Sequence, residues 1–121
     1  MASFKTFEEI LAWQSARSLT KDIYILSTRE KFNNDFSLQD QIRRSAVSVM
    51  ANIAEGYERR GDKEFVRFLN ISKGSLAEVK SHLYVAFDVG YINEETLQSL
   101  SGKIDETGKM LSGLIKYLKQ G

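Results

Sequence analysis

The chain contains no proline in 121 residues, and its apolar residues recur at steps of three and four over long stretches. Proline interrupts helices by removing a hydrogen bond and clashing with the preceding turn, so its absence favours long helices. The clearest pattern alternates steps of four and three through Phe65, Leu69, Ser72, Leu76, Val79, Leu83 and Ala86. This heptad spacing is typical of helices that pack at about 20° to one another. The sequence therefore predicts an all-α protein.

The first two of four predicted helices are marked by capping signals. The first is predicted to begin near Thr6, where Glu9 completes a capping box, and to end within residues 29–36. Its buried face contains Ile10, Trp13, Ala16, Leu19, Ile23 and Leu26. The second is predicted to begin at Ser37 and to end at Gly61, because glycine accepts a left-handed backbone readily. Its apolar face contains Leu38, Ile42, Ala46, Val49 and Ile53.

The third and fourth helices carry the heptad pattern to the end of the chain. Asp62 is predicted to cap the third helix, which Gly90 ends, and Asn93 is predicted to cap the fourth. The buried face of the fourth helix contains Leu97, Leu100, Ile104, Thr107, Leu111, Leu114 and Leu118. Short connections force consecutive helices to be antiparallel. We therefore predict a single domain, residues 1–121, folded as an antiparallel up-down-up-down four-helix bundle.

Composition excludes several classes of protein. Cysteine is absent, and 17 basic residues against 16 acidic ones give a net charge of +1. Disulfides and thiolate metal sites are therefore excluded, and a protein that binds nucleic acid through bulk charge is disfavoured. No secretory signal is recognisable, and no apolar run reaches the length of a membrane span, so we expect a cytoplasmic protein without a membrane partner.

A polar stripe runs along the second helix beside its apolar face, through Gln41, Arg44, Ser48, Asn52 and Glu55. If the chain folds back at Gly61, these residues come level with residues of the third helix. Four pairs result: Glu55 with Arg67, Asn52 with Asn70, Ser48 with Gly74, and Arg44 with Glu78. One interpretation is a structural ladder that fixes the register of the hairpin. The other is a polar surface that faces a ligand or partner.

Basic residues cluster where the second and third helices meet, at Arg59, Arg60, Lys63 and Arg67. Charges of this sign are favourable at a helix C-terminus, which gives them a purely structural explanation. They also suit an anion-binding tip that contacts nucleic acid. Four acidic residues, Glu55, Glu58, Asp62 and Glu64, lie among them and reduce the charge available for phosphate.

Four segments of the sequence form a recognisable set: FEEILAWQSAR, QIRRSAVSVMANIAEGYERR, KEFVRFLNISKGSLAEVKSHL and DVGYI, with NIAEG followed by GSLAE as the most distinctive part. They resemble the small bacterial four-helix-bundle proteins encoded in intervening sequences of 23S ribosomal RNA genes, some of which are labelled ribosomal proteins. The resemblance singles out Gln41, Arg44, Ser48, Asn52, Glu55, Gly56, Arg59, Gly74, Ser75 and Glu78. The chain is similar, more distantly, to the accessory protein of diversity-generating retroelements, a pentameric barrel associated with nucleic acid.

An oligomer is predicted from apolar residues outside the main faces of the first two helices: Phe7, Leu11, Tyr24, Val47, Met50, Ala54 and Tyr57. A monomer would expose this surface, and large exposed apolar patches usually mark interfaces. The choice of a homopentamer is implied by the resemblance alone.

No catalytic constellation is recognisable. His82 is the only histidine, which is too few for a di-iron bundle site, and neither a serine-hydrolase motif nor a phosphate-binding loop is present. We expect no enzyme, no cofactor, no metal and no small-molecule substrate. Two functions remain, a homo-oligomer that contacts RNA or DNA and a protein scaffold that does not. The scaffold is favoured by the charge balance and by aromatic residues predicted on the outer faces, namely Phe4, Phe7, Tyr57, Phe68, Tyr84 and Phe87.

Overall fold

A computed structural model describes residues 4–120, and it confirms the all-α four-helix bundle. The helices are α1 (Leu11–Leu26), α2 (Phe36–Glu58), α3 (Asp62–Asp88) and α4 (Glu94–Gln120). Each helix packs against the next along the chain, and α4 closes the bundle against α1. Two short 3-10 segments, Phe7–Glu9 and Glu30–Asn34, precede α1 and α2. Within residues 4–120, no helix combines the length and the apolar character that a membrane span requires.

The predicted apolar faces form the core. All seven heptad positions of α3 and all five apolar-face positions of α2 are buried. On α1, Trp13 is half-buried and the rest of the predicted face is buried. On α4, Ile115 is buried where the pattern predicted Leu114, which is half-buried. The last turns of α4 therefore present a slightly different face to the core from the one that a strict heptad implies.

The predicted starts of α1 and α2 are wrong in their capping residues. Thr6 makes no side-chain cap, and Glu9 accepts a hydrogen bond from the backbone N–H of Lys5 at 3.2 Å. At α2 the cap is Asp35, whose carboxylate accepts the N–H of Leu38 at 3.1 Å, and not Ser37. Serine and threonine are common N-cap residues, which made Thr6 and Ser37 reasonable predictions. At α2, however, Asp35 lies two residues before Ser37 and already accepts the free N–H group.

The turn between α2 and α3 also differs from the prediction. Arg60, with φ 63°, adopts the left-handed backbone that was expected at Gly61. Gly61 has an extended backbone, with φ −156°, and is the N-cap residue of α3. Asp62 is therefore the first residue of α3 and not its cap, although its negative charge still favours the helix N-terminus.

The connection between α3 and α4 follows the prediction closely. Gly90 has φ 83°, and the N–H groups of Gly90 and Tyr91 donate to the carbonyls of Phe87 and Ala86 at 3.1 and 2.8 Å. This pair of bonds is a Schellman motif, which requires a left-handed residue at the glycine position. Asn93 caps α4 by accepting the N–H of Thr96 at 2.8 Å.

The two connections at this end of the bundle are joined to each other. The Tyr91 hydroxyl donates to the Asp35 carboxylate at 2.8 Å, and the Tyr91 ring lies 5.4 Å from that of buried Phe32. The hydrogen bonds from the Leu38 N–H and from Tyr91 lower the pKa of Asp35. The same carboxylate raises the pKa of Tyr91. This contact anchors the loop before α2 to the loop before α4.

Candidate nucleic-acid interface

The tip of the α2–α3 hairpin is positioned by a close crossing of the two helices at Gly56. A side chain added there would place its Cβ 2.7 Å from the Cβ of Phe68 and 3.1 Å from the ring of Phe65. Both contacts are shorter than normal van der Waals distances, so α2 requires glycine at this position. Gly56 was singled out by the family resemblance, and its contact with α3 supplies a physical reason.

Hydroxyl groups set the register of α2 against α3. Ser48 and Ser75 share a hydrogen bond of 2.8 Å, and Ser72 donates to the carbonyl of Val49 at 2.8 Å. These contacts lie within one residue of the register predicted by folding the chain at Gly61. Gly74, predicted to lie level with Ser48, is exposed and has open space where a side chain would be.

The salt bridges predicted between α2 and α3 do not form, because their arginines pair with carboxylates of their own helices. Arg44 pairs with Asp40 and Arg59 pairs with Glu55, each at 2.8 Å within α2, and Arg67 pairs with Glu64 at 3.0 Å within α3. Partners three or four residues away on one helix are already adjacent, so their pairs form without bending long side chains across the seam. Among residues 4–120, neither Glu55 with Arg67 nor Arg44 with Glu78 forms a salt bridge.

The remaining members of the polar stripe bond mainly within their own helices. Asn52 donates to the carbonyl and the hydroxyl of Ser48 at 2.8 and 3.0 Å, and Asn70 donates to the carbonyl of Val66 at 3.2 Å. Gln41 and Glu78 are exposed, and Gln41 donates to the Ser37 hydroxyl at 3.1 Å. The structural ladder therefore consists of hydroxyl contacts, and the charged members of the stripe, Arg44, Glu55 and Glu78, lie on the surface.

Two of the four basic residues at the tip are held by an aromatic ring and by carboxylates. The guanidinium groups of Arg59 and Arg67 lie 5.1 and 4.5 Å from the ring centre of Phe68. The hydrogen bond from Arg67 lowers the pKa of Glu64, and the same bond raises the pKa of Arg67. Sequence reasoning missed this arrangement because it assigned Phe68 to the outer surface, whereas the ring is buried.

The other two basic residues, Arg60 and Lys63, are exposed. Across residues 4–120, neither takes part in a salt bridge. They follow one another across the turn into α3, so their charges share one end of the bundle. The tip thus offers four exposed cations, of which Arg59 and Arg67 are already engaged by carboxylates.

The apolar surface on α1 and α2 is smaller than predicted. Phe7, Met50, Ala54 and Tyr57 are half-buried, and the Tyr57 hydroxyl donates to the carbonyl of Phe4 at 2.6 Å. The segment before α1 therefore covers part of this face within one chain. The side chains that remain well exposed are Leu11, Tyr24, Val47 and, not anticipated from the sequence, Ile25 and Phe36, of which Phe36 is 75% exposed.

An open groove of about 720 Å³ lies along this exposed face, between α1 and the first half of α2. Tyr24, Phe36 and Val47 form its apolar part. Arg43 lies across the Tyr24 ring at 4.6 Å and donates to the Ser27 hydroxyl at 2.8 Å. Phe36 had been assigned to the segment that ends the first helix, so the sequence pattern gave no reason to place it on an exposed surface.

The part of the chain that the structure describes contains no group of three or more histidine, cysteine or acidic residues suited to hold a metal ion. His82 is half-buried on α3. Of the aromatic residues predicted on the outer faces, only Tyr84 is well exposed, whereas Phe4, Phe7, Tyr57 and Phe87 are half-buried.

Comparisons with known proteins agree with this architecture. The model of a family described as 23S rRNA-intervening sequence protein matches residues 8–113. A crystal structure from Bacteroides thetaiotaomicron, described as a protein with unknown function from the S23 ribosomal protein family, has a TM-score of 0.78 and 26% sequence identity. That match covers 87% of this chain and 98% of the other. No curated protein matches the chain.

Proposed function

Because the chain belongs to the 23S rRNA-intervening sequence protein family, we propose that it is a non-enzymatic homo-oligomer that binds structured nucleic acid through the α2–α3 tip. The observation that carries this proposal is the exposure of Arg60 and Lys63 without salt-bridge partners among residues 4–120. The family name, which refers to 23S rRNA, makes RNA the first nucleic acid to test. Such a partner would place the protein in the cytoplasm.

The charge at one tip is small, so the proposal depends on several copies acting together. Arg59 and Arg67 are bonded to Glu55 and Glu64, and phosphate would have to compete with these carboxylates. A ring of five copies would bring five pairs of Arg60 and Lys63 to one rim. Linked weak sites bind more tightly than single ones when their spacing fits the ligand. Salt dependence follows, because phosphate contacts release counterions.

The proposed oligomer interface is the exposed apolar surface formed by Tyr24, Phe36 and Val47, which line one groove between α1 and α2. Phe36 is 75% exposed beside Tyr24 and Val47, and exposed apolar side chains that lie together mark interfaces more often than scattered ones do. A closed ring repeats one interface between all copies. The number five follows from the resemblance to pentameric barrels and is part of the proposal.

A protein scaffold without nucleic-acid contact is the second candidate. It is favoured by the net charge of +1 and by the four acidic residues that lie among the basic ones at the tip. In this case the exposed apolar surface would serve assembly, and Arg60 and Lys63 would be solvated charges at a helix junction.

The two candidates are separated by binding measurements with duplex and hairpin RNA over a series of salt concentrations. The test variant is Arg60→Gln with Lys63→Gln, because both side chains are exposed. The matched control is Arg29→Gln with Lys31→Gln, which removes the same two residue types from the opposite end of the bundle. Weaker binding and a shallower salt dependence in the test variant alone would support the tip. Equal binding curves for both variants, or no RNA binding at low salt, would favour the protein scaffold without nucleic-acid contact.

The oligomer is tested separately by sedimentation or light scattering at micromolar protein concentration. We expect one discrete species larger than the monomer, and we expect Phe36→Ser with Val47→Ser to shift it toward the monomer. The control pair Ile71→Ser with Val85→Ser changes two exposed apolar residues of α3, which lie outside the proposed interface. A wild-type protein that sediments as a monomer would reject the oligomer.

A further inference from the structure

A second surface, between α3 and α4 and lined by none of the tip residues, has the chemistry of a peptide-binding groove. A shallow groove of about 480 Å³ lies between α3 and α4. Leu76, Ile104 and Gly108 lie at its floor, and Lys73, Lys80 and Lys109 line its walls. We call it the lysine groove. It has an apolar floor with cationic walls, and neither the polar stripe nor the tip includes any of these residues.

The floor of the lysine groove is apolar and contains a notch. Leu76 and Ile104 form its base, and Ala77 is exposed beside them. Gly108 has no side chain, and a Cβ placed there would meet only Leu76, at 3.5 Å, which is an ordinary contact distance. The space above Gly108 can therefore accept an apolar side chain from another molecule. A phosphate backbone would gain nothing from such a floor.

The walls of the groove carry an excess of positive charge. Lys80 bonds to Asp105 at 2.9 Å, and Asp105 is the only acidic residue of the lining. Lys73 and Lys109 are exposed, and within residues 4–120 neither forms a salt bridge. Lys73 and Lys80 are seven residues apart on α3, so their charges repeat about 10 Å along the same helix face. Lys109 stands on the opposite wall.

We propose that the lysine groove binds an acidic amphipathic helix of a partner protein. Apolar side chains of that helix pack on Leu76 and into the notch at Gly108, while its carboxylates meet Lys73 and Lys109. Charge complementarity selects an acidic partner, and the apolar floor selects a helix with an apolar stripe over a uniformly charged polyanion. The proposal does not depend on RNA binding at the tip or on the oligomeric state.

The probe is a fluorescein-labelled designed helix in which leucine occupies one face and glutamate flanks it. Three competitors are tested against it. Two are peptides of the same length, one with a scrambled sequence and one with lysine in place of glutamate, and the third is hairpin RNA. We expect fluorescence anisotropy to show saturable micromolar binding of the designed helix to the wild-type protein. We expect competition from the unlabelled designed helix and from none of the other three.

Two pairs of variants locate the binding. Lys73→Glu with Lys109→Glu should weaken binding at least tenfold, whereas Lys21→Glu with Lys31→Glu, an equal charge change away from α3 and α4, should not. Gly108→Leu fills the notch and should weaken binding, whereas Gly113→Leu, at an open position on the same helix, should leave it unchanged.

Four results would overturn the proposal. Three are absence of binding at 100 micromolar peptide, equal binding of the scrambled peptide, and equal loss in the control variants. The fourth is displacement of the peptide by hairpin RNA in a manner that depends on Lys73 and Lys109, which would identify a polyanion site. Circular dichroism of every variant shows whether the fold is kept, and a variant that does not fold is replaced by Lys73→Gln with Lys109→Gln.

Discussion

Along the α2–α3 seam a glycine lets the two backbones approach closely, whereas along the α1–α4 seam a lysine reaches a carboxylate across the helices, beside a hydroxyl contact of 2.6 Å between Ser15 and Thr107. At the first seam the contacts are Gly56 against Phe68, and Ser72 bonded to a backbone carbonyl. At the second, Lys103 bonds to Asp22 at 2.6 Å and to the Ser18 hydroxyl at 2.5 Å. The difference implies that larger side chains at the α2–α3 seam would destabilise the bundle. The α1–α4 seam should tolerate changes of size but respond to changes of charge.

The largest expected effect is at Gly56. Gly56→Ala should lower the free energy of unfolding by about 1–2 kcal/mol, because crowding against Phe68 exceeds the gain in helix propensity. Gly56→Leu should lower the free energy of unfolding further, by about 3 kcal/mol, because a larger side chain must displace Phe68. Gly74→Ala lies on the same hairpin with open space around it, and it should raise the free energy of unfolding by up to about 1 kcal/mol. Urea denaturation at a fixed protein concentration measures all three.

If Gly56→Ala and Gly74→Ala gave the same change, the close approach at Gly56 would not limit stability. The proposed contrast between the seams would then lose its main support.

The next effect is at Ser72, on the same seam. Ser72→Ala removes a buried hydrogen bond to the Val49 carbonyl and should lower the free energy of unfolding by about 1 kcal/mol. Ser81→Ala is the matched control, because Ser81 is an exposed serine on the same helix. Its change should be within about 0.5 kcal/mol of zero. Indistinguishable urea midpoints for the two variants would mean that the hydroxyl contact does not stabilise the seam.

A smaller effect is expected at the α1–α4 seam. The side chains of Lys103 and Asp22 are 29% and 39% exposed, so solvent screens their attraction. Lys103→Met should therefore lower the free energy of unfolding by about 0.5 kcal/mol, and 1 M salt should reduce this difference. The control is Lys116→Met, an exposed lysine on the same helix. A salt-independent loss above about 2 kcal/mol would show that this seam, too, is limited by packing.

The sequence predicted the core more reliably than the contacts around it, for a physical reason. Burial of Leu69, Val79 and Leu83 depends on hydrophobic periodicity, which the sequence displays directly. The partner of Arg67 depends on which carboxylate is closer once the helices are packed, and Glu64 lies one turn away on the same helix. The predicted register of α2 against α3 was right to within one residue, although the salt bridges used to predict it do not form. The hydroxyl contacts of Ser48 with Ser75 and of Ser72 with Val49 set it instead.

The candidate site was predicted in part. The positions of Arg60 and Lys63 at the tip follow from the break between two helices, which glycine and charged residues mark in the sequence. The engagement of Arg59 by Phe68 does not follow, because it requires the close crossing at Gly56 to bring that ring beneath α2. The left-handed backbone at Arg60 was missed because the adjacent Gly61 was the more obvious candidate. The prediction depended on the preference of glycine for a left-handed backbone, whereas the observed turn and the position of Phe68 depend on how α3 packs against α2.

The smallest effect concerns the contact between Asp35 and Tyr91, which lies at the end of the bundle away from the tip and belongs to neither seam. The pKa of Asp35 is lowered from its ordinary value of 3.8, first by the Leu38 N–H and then by Tyr91. This carboxylate therefore contributes stability above pH 3.8, and the contribution is lost as the pH falls through its lower, folded-state pKa. The pKa of Tyr91 is raised from 10.0, so its contribution is present below pH 10.0 and is lost as the pH rises through the raised value.

Tyr91→Phe separates the acid loss of stability (the acid limb) from the alkaline loss. Thermal unfolding from pH 2.5 to 11 measures both. The alkaline loss due to Tyr91 should disappear, because phenylalanine has no hydroxyl to ionise. The acid loss should shrink but persist, because the Leu38 N–H still stabilises the Asp35 carboxylate. Tyr84→Phe, at an exposed tyrosine of α3, should leave the acid limb as it is in the wild-type protein. If Tyr91→Phe removed the acid limb entirely, the tyrosine, and not the helix N-terminus, would be the main partner of Asp35.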